Sequence, residues 1–170
     1  MGFSVDIKYQ DHTLAIRKVT FITSEASGEV GPTSFCYLTN GALTASEHDT
    51  SDFVVEQHNY PEFHFNTGAD QLTWFDEYIM HDQGNDWIDI VVSNSEHIFN
   101  GIRIAVMRGY IAPEDVAAYF LKKDGSVVPV EIERDGRVKV WPQGLWEALP
   151  TALATLAKGQ KELREKASKV

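Results

Sequence analysis

The sequence predicts an α/β fold: a small, mostly parallel sheet flanked by helices, with antiparallel β-hairpins at the N-terminus and near the C-terminus. Three observations carry this reading. The stretch Trp87–Phe120 reads as strand, capped helix, strand, the crossover that parallel strands require. A second strand-and-helix pair lies just before it. Lys123-Asp124-Gly125 and Asp135-Gly136 are tight-turn signals between apolar segments, as hairpins use.

Taken in order, Phe3–Tyr9 alternates apolar and polar residues, as a half-buried strand does, and Thr13–Ile22 supplies a second strand. The two are expected to pair as an antiparallel hairpin. Ser24–Gly31 is a polar, glycine-containing loop. Pro32 suits a helix start, with Ser34–Leu43 following as a helix that Gly41 weakens. Asp52–Glu56 is a short strand, Gln57–Glu62 its exit loop. Thr67 or Asp70 then caps a helix to about Met80, with Leu72, Phe75 and Ile79 inward.

The run Ile88, Ile90, Val91, Val92 has the β-branched character of a buried strand. Ser93 and Glu96 form a capping-box pattern, and Ile98, Phe99, Ile102, Ala105 and Val106 fall on one helical face before the stop at Gly109. Val116–Leu121 is the next strand. Val127–Glu133 and Val138–Trp141 are expected to pair across Asp135-Gly136. From Gly144 onward the pattern is helical, with Trp146, Leu149, Leu153, Leu156 and Leu163 as its apolar stripe and Pro150 bending it.

With 170 residues the chain suits one domain, divided into an N-terminal hairpin (1–27), a βα core (28–122) and a hairpin plus C-terminal helix (123–170). No apolar run reaches the roughly 18–20 residues of a membrane span, and the first residues lack a signal-peptide pattern. A lone cysteine, Cys36, forms no internal disulfide, so a cytoplasmic location is expected, with the thiol packed between Phe35 and Tyr37. The net charge of −10 argues against direct binding to nucleic acid and leaves open a basic protein partner.

The segment SEHIFNGIRIAVMRGYIAPEDVAAYF resembles the region after the switch histidine in ABC-type AAA ATPases of the SMC-like and OLD-like kind, enzymes of bacterial repair and defence loci. HNYPEFHFNTGADQLTWF is similar to their Walker B exit through Pro61, Glu62, His64, Gln71 and Leu72. EVGPTSF at Glu29–Phe35 is similar in placement to the signature segment, and DGRVKVWPQGLWEAL at Asp135–Leu149 to the family's tail. The similarity runs from Gly28 through Ala157. It implies the C-terminal half of an ATPase domain, a truncated P-loop NTPase-like core.

The chemistry of those enzymes is missing from the matching positions. A triphosphate cradle needs G-x-x-x-x-G-K-[ST], and no Gly-Lys-Ser or Gly-Lys-Thr occurs. Asn59 and Tyr60 stand where the Walker B acid and the water-orienting residue belong, and asparagine lacks the charge that Mg²⁺ wants. The switch histidine falls on Asn94, and Ser34 stands at the signature serine. Ser34, Asn59, Tyr60 and Asn94 therefore read as vestigial nucleotide-site positions, with no catalytic residue and no cofactor.

The expected function is non-catalytic: a degenerate ATPase-like protein that binds a protein partner, an ATPase or nuclease of a bacterial defence or mobile-element system, with oligomerisation open. Arg103 and Arg108, on the polar side of the helix that stops at Gly109, are the candidate partner contacts. One alternative is an acidic inhibitor or DNA-mimic decoy, phage-borne, aimed at a basic protein. Another is a metal-dependent hydrolase using His58, Glu62 and His64, with His81 and Asp82 beyond; H-x-x-x-E-x-H is not a standard ligand spacing. Glu96-His97 could be drawn as an acid/base pair, but Glu96 is better explained as a helix cap. Trp141 and Trp146 could form a binding patch, but core packing of the tail hairpin against its helix is expected, with both largely buried. In the ATPases the strand bearing the phosphate loop lies between the counterparts of Ile88–Val92 and Val116–Leu121. Here that segment is absent, and three outcomes can close the slot: direct pairing of the two strands, an N-terminal strand (Phe3–Tyr9 or Thr13–Ile22) between them, or a strand donated by a partner. Direct pairing is expected, leaving the N-terminal hairpin at a sheet edge.

Overall fold

The computed structural model describes residues 4–9, 11–25, 54–81 and 87–146, together with Thr155, Leu156, Lys158 and Gln160. The fold is the α/β class expected. Its centre is a five-stranded sheet in the order β4-β5-β3-β6-β7, formed by β3 (Val19–Ser24), β4 (Val54–Asn59), β5 (Trp87–Val92), β6 (Val116–Leu121) and β7 (Val127–Pro129). All neighbours run parallel except β7, which is antiparallel to β6. A separate hairpin, β1 (Ser4–Tyr9) and β2 (His12–Arg17), pairs from Ser4↔Arg17 to Tyr9↔His12.

The expected direct pairing of Ile88–Val92 with Val116–Leu121 is corrected by this topology. β3 lies between them, aligned Ile22↔Val92 on one side and Ile22↔Tyr119 on the other. The stretch Thr13–Ile22 is therefore two strands, broken at Lys18. Thr20, fully buried, makes the break: its hydroxyl accepts from Arg17 N at 3.0 Å and donates to Arg17 O at 3.3 Å. Val19–Thr23 is buried throughout, as a strand covered on both faces must be. Filling the slot pairs two rows of backbone groups that would each cost about 1–3 kcal/mol if left buried and unpaired. The N-terminal hairpin consequently covers a sheet face and does not extend an edge.

The two faces have separate cores. Leu14 and Ile16 of β2 pack with Ile22, Ile88, Ile90, Val92, Tyr119 and Leu121 on one face. The Tyr119 hydroxyl fastens that layer, donating to Ala15 O at 2.8 Å and accepting from Ala15 N at 2.9 Å. Burial raises its pKa above the ordinary tyrosine value. The other face carries Phe21, Val91, Ala118 and Phe120 against helices α1 (Gly68–His81) and α2 (Glu96–Arg108). Thr67 caps α1 by accepting from Asp70 N at 3.1 Å, and Phe75 points inward, fully buried.

α2 has the expected limits and buried face, but its N-cap is Ser95, not Ser93. The Ser95 hydroxyl accepts from Ile98 N and donates to Gln71 Oε1 of α1, while Ser93 Oγ accepts from Ser95 N. Gly109 closes the helix in the left-handed region at φ 77°.

Both tight turns form where expected. β6 and β7 make the first hairpin, with Asp124 Oδ1 accepting from Ser126 N and Oγ. The second ladder is shorter than expected, a single bridge between Ile132 and Val138. Gly144–Trp146 is a turn and not a helix start, with positive φ at Gly144 and Trp146, and Leu156 is exposed instead of inward. The expected helix Ser34–Leu43, Cys36, and the stripe residues Leu149, Leu153 and Leu163 lie outside the described residues.

Candidate functional site

In open parallel sheets ligands bind at the carboxyl ends of the strands, where chain connections diverge. Here that edge gathers Thr23-Ser24 at the end of β3 with Glu25 beyond it, Ser93-Asn94 beyond β5, Asn59-Tyr60 at the end of β4, and Leu121 of β6. Backbone hydrogen bonds lace the strand exits together: Tyr60 N to Val92 O (2.7 Å), Ser93 N to Ile22 O (3.0 Å) and Glu25 N to Leu121 O (2.9 Å).

The position that resembles the switch histidine is committed to internal contacts. Asn94 Oδ1 accepts from Thr23 Oγ1 and from Ser24 N, both at 3.2 Å, and Asn94 O accepts from Trp146 Nε1 at 3.0 Å. The first two N–H groups leaving β3 thus face protein acceptors, Asn94 for Ser24 and Leu121 for Glu25. A phosphate cradle uses such groups for its ligand. Glu25 adds a carboxylate at the same mouth, its Oε2 accepting from Lys123 N at 3.3 Å.

Gln57, His58 and Asn59 pair with Ile90, Val91 and Val92 of β5, so β4 runs three residues further than expected and the exit loop begins at Tyr60; Asn59 Oδ1 accepts from Gln57 Nε2 at 3.2 Å. Tyr60 takes a positive φ of 51° and lies against the exposed Phe63, ring centres 5.9 Å apart. Asn59, Tyr60 and Asn94 therefore share one edge of the sheet. Ser34 lies outside the described residues.

Trp146 is half-buried against Phe99 and Phe21, at 5.3 and 6.3 Å between ring centres. Trp141 does not fit the expectation of burial: it is 39% exposed. Its indole N–H donates to Leu145 O at 3.0 Å, and the Arg103 guanidinium sits 5.7 Å from its ring. Arg103 also donates to Gly136 O and to Asn100 Oδ1, each at 2.7 Å, and so ties α2 to the Asp135-Gly136 turn. Burial lowers its pKa from the ordinary guanidinium value, opposed by the Glu96 carboxylate. Arg108 is exposed in the last turn of α2. Glu96 occupies the first turn of α2, and the exposed His97 lies over Gly68 at the start of α1.

Of the histidines singled out, His58 is half-buried on β4, and its Nε2 meets Asp89 Oδ1 at 3.1 Å and Glu56 Oε2 at 3.7 Å. His64 is exposed at the end of a 3-10 turn, Pro61–His64, and joins no group of ligand atoms among the described residues. The side chains of Glu62 and His81, and all of Asp82, lie outside the described residues. Neither Glu56 nor Asp89 was singled out by sequence, because only the β4–β5 register sets them opposite each other.

Residues 111–153 match the model of a protein family of unknown function (DUF3696), a family associated with AAA/ATPase-like proteins. The matched stretch takes in β6, β7, both tight turns and the Trp141–Trp146 tail. No curated protein and no solved structure gives a significant match. Among the described residues no helix is long and apolar enough to cross a membrane.

Proposed function

We propose that this chain is a non-catalytic, ATPase-like protein of the cytoplasm that works by binding a protein partner, an ATPase or nuclease of a bacterial defence or mobile-element system. The observation that carries the reading is the use made of the β3 exit. β3 stands where the resembling ATPases carry their phosphate-loop strand, yet Ser24 N donates to Asn94 Oδ1, Glu25 N donates to Leu121 O, and its mouth carries the Glu25 carboxylate. The Glu25 carboxylate at that mouth repels a triphosphate where a phosphate loop would have to attract one. The scaffold is otherwise packed on both faces, so the sheet holds its shape without nucleotide.

Affinity purification of the tagged chain from its native host, followed by reconstitution with the purified partner, tests the interaction. The expected result is a complex that survives size-exclusion chromatography at both low and high salt and weakens on Arg108→Glu. A chain that purifies alone overturns the proposal. A complex that dissolves as salt rises favours the acidic decoy instead, because exposed charge pairs are screened within about 10 Å at 0.1 M salt.

A further inference from the structure

We infer that Glu56, His58 and Asp89 form a binding site for one divalent transition-metal ion, of the Zn²⁺ or Mn²⁺ type, on the helix-covered face of the sheet at the β4–β5 pair. The inference is independent of the proposed function, since the site lies within the sheet and away from the strand exits.

The backbone builds the site. Glu56 and His58 are two residues apart on β4 and so point to the same face, and Glu56 is the register partner of Asp89 on β5. Two carboxylates set directly opposite each other in a sheet repel. The Asp89 side of the pair is poorly screened, because Asp89 is 6% exposed on the face that carries Val91 and is covered by Phe75 and Phe99, while Glu56 reaches toward solvent. A divalent cation between the two carboxylates offsets that repulsion. The imidazole already leans into that position, with its Nε2 at 3.1 Å from Asp89 and 3.7 Å from Glu56.

The spacing suits a metal. One oxygen from each carboxylate and one imidazole nitrogen all lie within 4.8 Å of one another. An ion holding N and O ligands at about 2.0–2.2 Å in a tetrahedron sets them about 3.3 Å apart, so small side-chain rotations suffice. One imidazole with two carboxylates is a borderline donor set that suits zinc or manganese better than calcium. Trp74, edge-on to His58 with ring centres 5.2 Å apart, and Phe65 beside it wall one side. Glu56, 38% exposed in its side chain, lies on the open side where water completes the coordination.

The test titrates ZnCl2 and MnCl2, with CaCl2 as comparison, into chelator-treated full-length protein by calorimetry, with metal content measured after dialysis. The expected result is one zinc or manganese ion per chain at micromolar affinity or tighter, and little calcium binding. His58→Ala should weaken binding by at least about 100-fold and Glu56→Gln by at least about tenfold, with His64→Ala unchanged. Circular dichroism checks folding, and if His58→Ala does not fold, Glu56→Gln decides the question. Absence of stoichiometric binding, equal affinity in Glu56→Gln, or binding lost only in His64→Ala overturns the site.

Discussion

Replacing Phe99 with alanine is expected to lower the unfolding free energy by about 3–5 kcal/mol, the range for deleting a buried aromatic ring. Phe99 is 1% exposed on α2 and touches Phe21 of β3, at 5.1 Å between ring centres, together with Trp146 and Trp141 of the tail. The ring therefore joins helix, central strand and tail. Urea unfolding gives the magnitude. Tryptophan emission gives the specificity: it should shift to the red in the folded variant, as Trp146 loses its packing. A loss under about 1 kcal/mol, with emission unchanged, would show that the tail is held by other contacts.

Gly101→Leu should be comparably severe for the opposite reason. A Cβ at Gly101 would stand 2.7 Å from Leu72 O of α1, a backbone atom that cannot swing aside. A glycine inside a helix is otherwise a liability of about 1 kcal/mol relative to alanine, so its presence at this crossing marks close helix packing. For Gly101→Ala the propensity gain and an overpacking cost of about 1–3 kcal/mol partly cancel, leaving mild destabilisation. Leucine adds volume with no further gain, and a loss of about 3 kcal/mol or more is expected. That loss should appear as a urea midpoint lower by about 1 M or more. A leucine variant as stable as the alanine variant would mean that α1 and α2 separate easily.

The elements legible in the sequence were those whose periodicity is local. α2 shows its apolar face and its glycine stop within one short stretch, and β5 and β6 are β-branched or apolar runs between polar segments. β3 was concealed by the continuity of Thr13–Ile22. The alternation does carry a phase change there, with Leu14 and Ile16 on even positions and Val19 and Phe21 on odd ones, which marks the bend at Lys18. Its place between β5 and β6 depends on pairing across most of the chain, which no local pattern encodes. β4 was read three residues short because Gln57, His58 and Asn59 are polar. They are strand nonetheless, since the outermost strand pairs on one side only and tolerates polar residues. Trp141 was assigned to the core on size, whereas its indole N–H and the Arg103 guanidinium draw it to the rim. At the strand exits, the departures of Asn59, Tyr60 and Asn94 from the ATPase pattern were legible as residue types. The engagement of Ser24 N by Asn94 was not, because it joins residues 70 positions apart.

Titration of the isolated protein with Mg-ATP in a calorimeter tests the central claim most directly. If the β3 exit is closed to phosphates by Asn94, Leu121 and Glu25, no saturable heat should appear up to about millimolar nucleotide, and no phosphate should be released. Micromolar affinity that disappears on altering Asn59 or Asn94 would contradict the account, by showing that those positions still serve a nucleotide.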